Sequence, residues 1–266
     1  MILGEICTRS CKFCATASGK PLPPDSDEPR KLARSVSLMG LKHCVITSVD
    51  RDDLPDGGAS HWAASVRSVR ESNPDTTIEV LIPDFDGKEE LIDIVLASAP
   101  DIVGHNIETV ERLTPQVRSR AKYGVSLNVL KHIAGRGATA KSGLMLGLGE
   151  SEAEVLATMD DLLENSTFKS IPQQVMDYQV NQCLNYYYTM ANYYGYDLDS
   201  FVQTAAGYEN ADALLEGMSD SITTSSKEAL LYQAVAETLD IVPTQEQIDT
   251  YSSYTGTYGE NYCTMV

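Results

Sequence analysis

The chain has 266 residues and a formal charge of −18, and no apolar run in it approaches the roughly 20 residues that cross a bilayer. So acidic a chain is repelled by phosphate backbones and anionic lipids, which excludes nucleic acid and membrane surfaces as expected partners. Six cysteines, and a start (Met1 into Ile-Leu-Gly-Glu-Ile-Cys) too short in apolar length for a signal peptide, predict a cytoplasmic protein whose thiols serve as ligands rather than as a disulfide framework.

Up to residue 166, short apolar runs alternate with amphipathic stretches. Ile2–Ile6, Cys44–Val49, Thr77–Ile82, Asp101–Ile107 and Ser142–Leu148 read as strands. Pro29–Met39, His61–Glu71, Lys88–Ala97, Pro115–His132 and Glu152–Leu163 carry apolar residues three and four apart and read as helices. Five strand–helix repeats predict parallel strands with right-handed crossovers, an α/β sheet or partial barrel of about five βα units. Beyond residue 166 the text changes. Every arginine lies at or before Arg136, 13 of the 14 tyrosines lie after residue 166, and the last hundred residues hold 13 acids against Lys169 and Lys227. A boundary is therefore expected near Ser166–Ser170, giving domains 1–166 and 167–266. The second reads as an acidic, all-helical domain, with one helix around Val175–Met190, another over Leu198–Ala205, and one long or two shorter helices over Ala211–Leu239. Pro172 and Pro243 suit helix starts, where a missing N–H costs little.

The segment Cys7-Thr-Arg-Ser-Cys11-Lys-Phe-Cys14 follows the first strand. In a parallel barrel the strands' C-terminal ends form the chemical face. Three thiolates within eight residues can wrap one metal centre, and three rather than four would leave one iron of an iron–sulfur cluster open. A zinc knuckle or reactive free thiols are the alternatives. Zinc calls for a fourth Cys or His, and none occurs in the next 28 residues.

The C-x3-C-x2-C spacing, with Phe13 before the last cysteine, resembles the radical S-adenosylmethionine (SAM) signature. MILGEICTRSCKFC, VITSVDRDDLPDGGASHW, EVLIPDFDGKEEL, HNIETVERLTPQVR and KSGLMLGLGE, in that order, resemble lipoyl synthase over residues 1–165. The resemblance implies a [4Fe–4S] cluster on Cys7, Cys11 and Cys14 whose open iron chelates SAM, with Phe13 beside the cofactor. The implied chemistry is reductive cleavage of SAM to a 5′-deoxyadenosyl radical, hydrogen abstraction from an octanoyl chain and sulfur insertion. The implied partner is an octanoylated lipoyl domain or carrier protein.

Thr47 and Ser48, closing the second strand ahead of Asp50, Asp52 and Asp53, are candidates for the cofactor's ribose, amine or sulfonium. A helix cap with surface charges is the plainer reading. Asn106 and Glu108 suit a ribose or α-amino group, since alternation turns them to one face. His105 reads equally as a core histidine. Arg118 is a candidate for the cofactor carboxylate or else a surface helix arginine. GLMLGLG lacks dinucleotide spacing, but its glycines, Gly143 and Gly147 among them, would let adenine approach the backbone, the use the family makes of this strand. Cys44, Cys183 and Cys263 read as ordinary thiols.

Lipoyl synthases carry a second cysteine triad ahead of this core and a serine-bearing terminal segment that together hold an auxiliary cluster. The sequence shows neither, and Gly104 stands where the family usually has Asn, so the expectation is cofactor cleavage without sulfur insertion. Residues 168–242, with FKSIPQQVMDYQVNQCLNYYYTMANYYGYDLDSFVQTAAGY and SSKEALLYQAVAETLDI, resemble the C-terminal helical domain of trigger factor. That resemblance implies unfolded polypeptides as clients and, as the alternative, a non-catalytic chimera.

Overall fold

The computed structural model describes residues 1–164, 171–238 and 244–245. The chain separates into two compact units, Met1–Thr167 and Phe168–Val266. The composition change at Ser166–Ser170 lies outside the described residues, as do Leu239, Pro243 and Cys263.

In the first unit β1 (Ile6–Cys7) pairs in parallel with β2 (Ala17–Ser18). After α1 (Glu28–Met39) comes a four-stranded parallel sheet of β3 (His43–Thr47), β4 (Thr77–Leu81), β5 (Ile102–Gly104) and β6 (Thr139–Lys141), neighbours in chain order. Parallel neighbours cannot be joined by tight turns, and the crossovers are α2 (Ala59–Ser72), α3 (Glu89–Leu96), the short α4 (Thr114–Val117) and α5 (Tyr123–Gly135). The helix α6 (Glu152–Glu164) follows β6. Along β3 the side chains alternate: Cys44 and Ile46 are buried while Val45 is 53% exposed. The buried face joins Ile78, Val80 and Val103 to Trp62, Val66, Ile92, Val129 and Ile133 of the helices in one core. This is the α/β architecture that the alternating runs predict.

Four boundaries differ from expectation, each for a local reason. The first strand is not continuous over Ile2–Ile6. Ile2 bridges to Ser48, and the chain then turns through Leu3 (φ 69°) and Gly4 (φ 99°). Leu3 N–H donates to Glu28 Oε2 at 2.8 Å and its carbonyl accepts from Arg51 Nη1 at 2.9 Å, so side chains take the bonds a ladder would make. The fourth strand stops at Gly104, short of Ile107, and Glu108 adopts φ 66°. The helix expected over Pro115–His132 breaks at Arg118–Lys122, where Val117 O accepts from Lys12 N (2.8 Å) and Ser119 Oγ from Ser10 N (3.0 Å): the cysteine loop docks on this break. The fifth strand is Thr139–Lys141 rather than Ser142–Leu148, continued by a single bridge from Leu144 to Glu108. Leu146 is 56% exposed, so the apolar run was a poor guide to pairing.

The described residues of the second unit form helices: α7 (Gln173–Tyr194), α8 (Leu198–Ala206), α9 (Ala211–Gly217) and α10 (Ser219–Thr238). The stretch read as one long or two shorter helices is thus two. Asp197 and Asn210 cap α8 and α9, accepting from Ser200 N (3.0 Å) and Ala213 N (2.9 Å). Ala191, Val202, Leu214 and Ile222 are buried, and Phe201 gathers the rings of Tyr187, Tyr194 and Tyr196. Tyr186, Tyr188 and Tyr193 are 60%, 56% and 80% exposed. No helix among the described residues is long and apolar enough to cross a membrane.

Candidate active site

The C-terminal ends of β1, β3 and β4, and His105 just beyond β5, meet at a cavity of about 230 Å³. Cys7, Cys11 and Cys14 all line it, together with Phe13, Thr47, Ser48, Asn106, Glu108 and Arg118. All three thiols are free; Cys7 is buried, Cys11 half-buried and Cys14 exposed. Among the described residues no three His, Cys, Asp or Glu side chains converge tightly enough to hold a single metal ion. A cluster makes a different demand, because each thiolate binds its own iron and the sulfurs stand further apart than around one ion.

Each polar group of the lining is placed by its element. Thr47 ends β3, and Ser48 follows it, bridged to Ile2. Asn106 and Glu108 lie beyond β5, and hydrogen bonding between them links the two side chains. Burial raises the Glu108 carboxyl above its usual range, against the pull of Asn106 and of the Arg118 charge. Arg118 is not a surface helix residue. It leaves α4 in extended conformation, and its Nη1 donates to the carbonyls of Asn106 (3.2 Å) and Ile107 (3.3 Å) and to Ser126 Oγ (2.9 Å). Its Nε is buried and has no partner among the described residues. A buried donor left unmet costs about 1–3 kcal/mol, more on a charged group, which favours an acceptor arriving there.

His105 is a core histidine: Nδ1 lies 3.0 Å from Ile82 O, Nε2 2.9 Å from Ser126 Oγ, and burial holds its pKa down at about 4. Gly143 and Gly147 do not line the cavity. Gly143 stands behind Asn106, so close that a Cβ would meet Asn106 Oδ1 at 2.9 Å. Gly147 (φ 93°) belongs to a turn closed by Glu150, whose carboxylate accepts from Gly147 N and from Leu148 N. Cys44 is buried in β3, and Cys183 packs 3.6 Å from Met218 Sδ.

Sequence reasoning missed Arg9 and Asp84. Arg9 is buried between Cys7 and Cys11, and its guanidinium meets Asp52 and Asp84 at 2.7 and 2.8 Å. Burial alone would raise both carboxyls; the Arg9 hydrogen bonds and charge outweigh it and hold them low. Asp50, which lines the cavity, is instead raised, by burial first and by Asp84 and Asp52 as like charges, with Arg9 opposing. Asp84 sits in the block EVLIPDFDGKEEL, the one signal that could have found it.

Residues 1–162 match the family model of the Radical SAM superfamily, and residues 151–255 match that of the bacterial trigger factor protein C-terminus. A lipoyl synthase of Parabacteroides distasonis is 63% identical over 164 residues, covering 62% of this chain and 58% of that protein. One of Bacteroides fragilis is 61% identical over 163 residues, covering 61% and 57%. The chain thus spans a little under three-fifths of the length of these curated relatives. Among solved structures, methylornithine synthase aligns with 62% of this chain and 49% of its own at a TM-score of 0.52 and 13% identity, a likeness of fold alone. Model match, fold and cysteine spacing agree: the chain belongs to the radical SAM superfamily.

Proposed function

We propose that residues 1–166 are the cofactor-binding core of a radical SAM sulfurtransferase of lipoyl synthase type, and that residues 167–266 form a trigger factor C-terminal-like helical domain. The observation that carries the reading is that three free cysteines share one cavity with Arg118, whose Nε is buried without a partner among the described residues, and with the Asn106–Glu108 pair. The donor set fits the group. Cys7, Cys11 and Cys14 would hold a [4Fe–4S] cluster, and a cluster with three protein thiolates keeps one iron for a ligand. When bound, the cluster supplies the electron for reductive cleavage of SAM.

The protein's own groups do the positioning. Arg118 offers a fixed donor to the cofactor carboxylate, a charge-assisted contact stronger than a neutral one. Glu108, half-paired with Asn106, offers an acceptor to the α-amino group. Thr47 and Ser48 supply hydroxyls at the end of β3 for the ribose or amine, Phe13 supplies an apolar wall, and Gly143 leaves room for Asn106. Gly147, outside the cavity that the cysteines line, would stand toward the adenine end of the cofactor along the run that follows β6. By likeness to the curated relatives, the hydrogen donor would be an octanoyl group on a lipoyl domain or carrier protein, acted on in the cytoplasm. The exposed tyrosines of α7 would suit unfolded clients of the helical domain. A non-catalytic reading of the whole chain leaves the shared cavity of three cysteines unexplained.

The test is anaerobic reconstitution with iron and sulfide, metal counting, and electron paramagnetic resonance (EPR) of the reduced protein with and without SAM. About four irons per chain and a spectrum altered by SAM are expected. Stoichiometric zinc, or a spectrum indifferent to SAM, would overturn the reading.

A further inference from the structure

Arg9 lies midway between Cys7 and Cys11, and its side chain is 4% exposed. Its charged partners all come from outside the loop. Nε and Nη2 fork onto Asp52 Oδ2 (2.9 Å) and Oδ1 (2.7 Å), and Nη2 also reaches Asp84 Oδ1 (2.8 Å). Asp52 follows β3 and Asp84 follows β4, so one guanidinium pins the loop to the ends of two strands. Thr8 strengthens the attachment: Asp52 N–H donates to Thr8 Oγ1 (3.1 Å), which donates to Asp50 O (3.0 Å).

Among the described residues the guanidinium makes no hydrogen bond to any of the three sulfurs; the backbone it fixes does. Arg9 N–H is directed at Cys7 Sγ at 3.4 Å and Asp50 N–H at the same sulfur at 3.3 Å. Cys11 Sγ faces the Ser119 hydroxyl at 3.8 Å. The three ligand positions are therefore unequal. Peptide donors aimed at a ligating sulfur stabilise the more negative, reduced cluster and raise its potential.

We propose that Arg9, clamped by Asp52 and Asp84, is a positioning residue that aims two peptide N–H groups at Cys7 Sγ and thereby sets the ease with which the cluster is reduced. The proposal rests on the cluster reading above and extends it to a residue of the cavity lining whose guanidinium bonds to carboxylates rather than to the ligating sulfurs. Lys keeps the charge but lacks the two-pronged geometry, so Arg9→Lys separates aiming from charge. Asp84→Asn keeps the volume and removes one anchor.

The experiment compares full-length wild type, Arg9→Lys and Asp84→Asn, reconstituted anaerobically and titrated potentiometrically by EPR. Both variants should hold their iron, with the midpoint shifted to more negative potential and the line shape changed. Wild-type midpoint and line shape in iron-replete variants would overturn the proposal. The same chains without iron are then alkylated with iodoacetamide and read by peptide mass spectrometry. Cys7 should react severalfold faster in both variants while Cys44, buried elsewhere in the core, stays protected. Unchanged Cys7 reactivity would overturn the clamp. If Cys44 also reacts in Arg9→Lys, that fold has opened and Asp84→Asn decides. A wild-type chain that takes up no iron defeats the cluster reading, and the alkylation result still judges the clamp.

Discussion

Ser126 Oγ stands 2.9 Å from His105 Nε2 and 2.9 Å from Arg118 Nη1, so one hydroxyl joins a buried histidine to the arginine of the cavity. The directions follow from the donors. Arg118 can only donate, and the Ile82 carbonyl beside His105 Nδ1 can only accept. Nδ1 therefore carries a proton, and because burial keeps the ring neutral at pH 7, Nε2 accepts from Ser126. A second proton would orphan the Ser126 hydrogen and place a cation beside Arg118.

This yields a pH prediction. His105 titrates at about 4 when folded, against 6.5 ordinarily, because burial disfavours its charged form. Between these values the unfolded chain binds more protons, so stability rises with pH there. The contribution is fully present above 6.5 and is lost as pH falls through 4. It amounts to about 3 kcal/mol. Denaturant unfolding from pH 4 to 7 should show this slope, and His105→Gln should flatten it while lowering stability at pH 7. An unaltered slope would refute the assignment.

Cys11→Ala should abolish iron uptake on reconstitution, whereas Cys44→Ala should leave it intact, because Cys44 lies in the core under β3 and away from the cavity. Iron and sulfide counts on the two purified variants decide it. Equal losses would mean that uptake follows general stability.

Gly143→Ala should weaken SAM binding with little loss of stability. The new methyl would sit 2.9 Å from Asn106 Oδ1, and the far end of a side chain can shift where backbone cannot. Asn106 would swing away from Glu108, releasing the hydrogen bond that opposes its raised pKa. Calorimetric titration of SAM into reconstituted wild type and variant would show a several-fold weaker affinity. Equal affinities would place Asn106 outside the binding contacts.

Asp197→Ala should destabilise the helical unit by about 1 kcal/mol, the usual cost of losing an N-cap. Asp197 accepts from both Ser200 N (3.0 Å) and Ser200 Oγ (2.6 Å) at the start of α8. Loss of helical circular dichroism at lower denaturant is the readout, and Asp197→Asn should recover most of it.

What could be read from the sequence was local. Cys7, Cys11 and Cys14 fall within eight residues, so spacing alone brought them to one loop, and the strand–helix alternation announced parallel pairing. Asn106 and Glu108 share the cavity, but through a turn at Glu108 rather than by strand alternation. Arg9 was illegible because its anchors lie 43 and 75 residues away, and an arginine between cysteines looks like any surface charge. Strand ends were misread where apolar residues continue past the ladder, as in Leu144–Leu148: hydrophobicity reports burial, while pairing is settled by which backbone groups remain free. The Arg118 break escaped notice because its cause, the cysteine loop, comes a hundred residues earlier in the chain.

The turn at Leu3 has a consequence for the loop beyond it. With Leu3 N–H held by Glu28, its carbonyl held by Arg51, and a Gly58 Cβ barred by Leu3 Cδ1 at 2.7 Å, the chain cannot creep along β3. Side chains along an extended segment alternate, so a creep of one residue would turn Cys7 to the opposite side. Leu3 therefore acts as a register stop. The stretch from Leu3 to Cys7 behaves as a spacer of set length, intolerant of any inserted or deleted residue although it contributes only two residues to a strand.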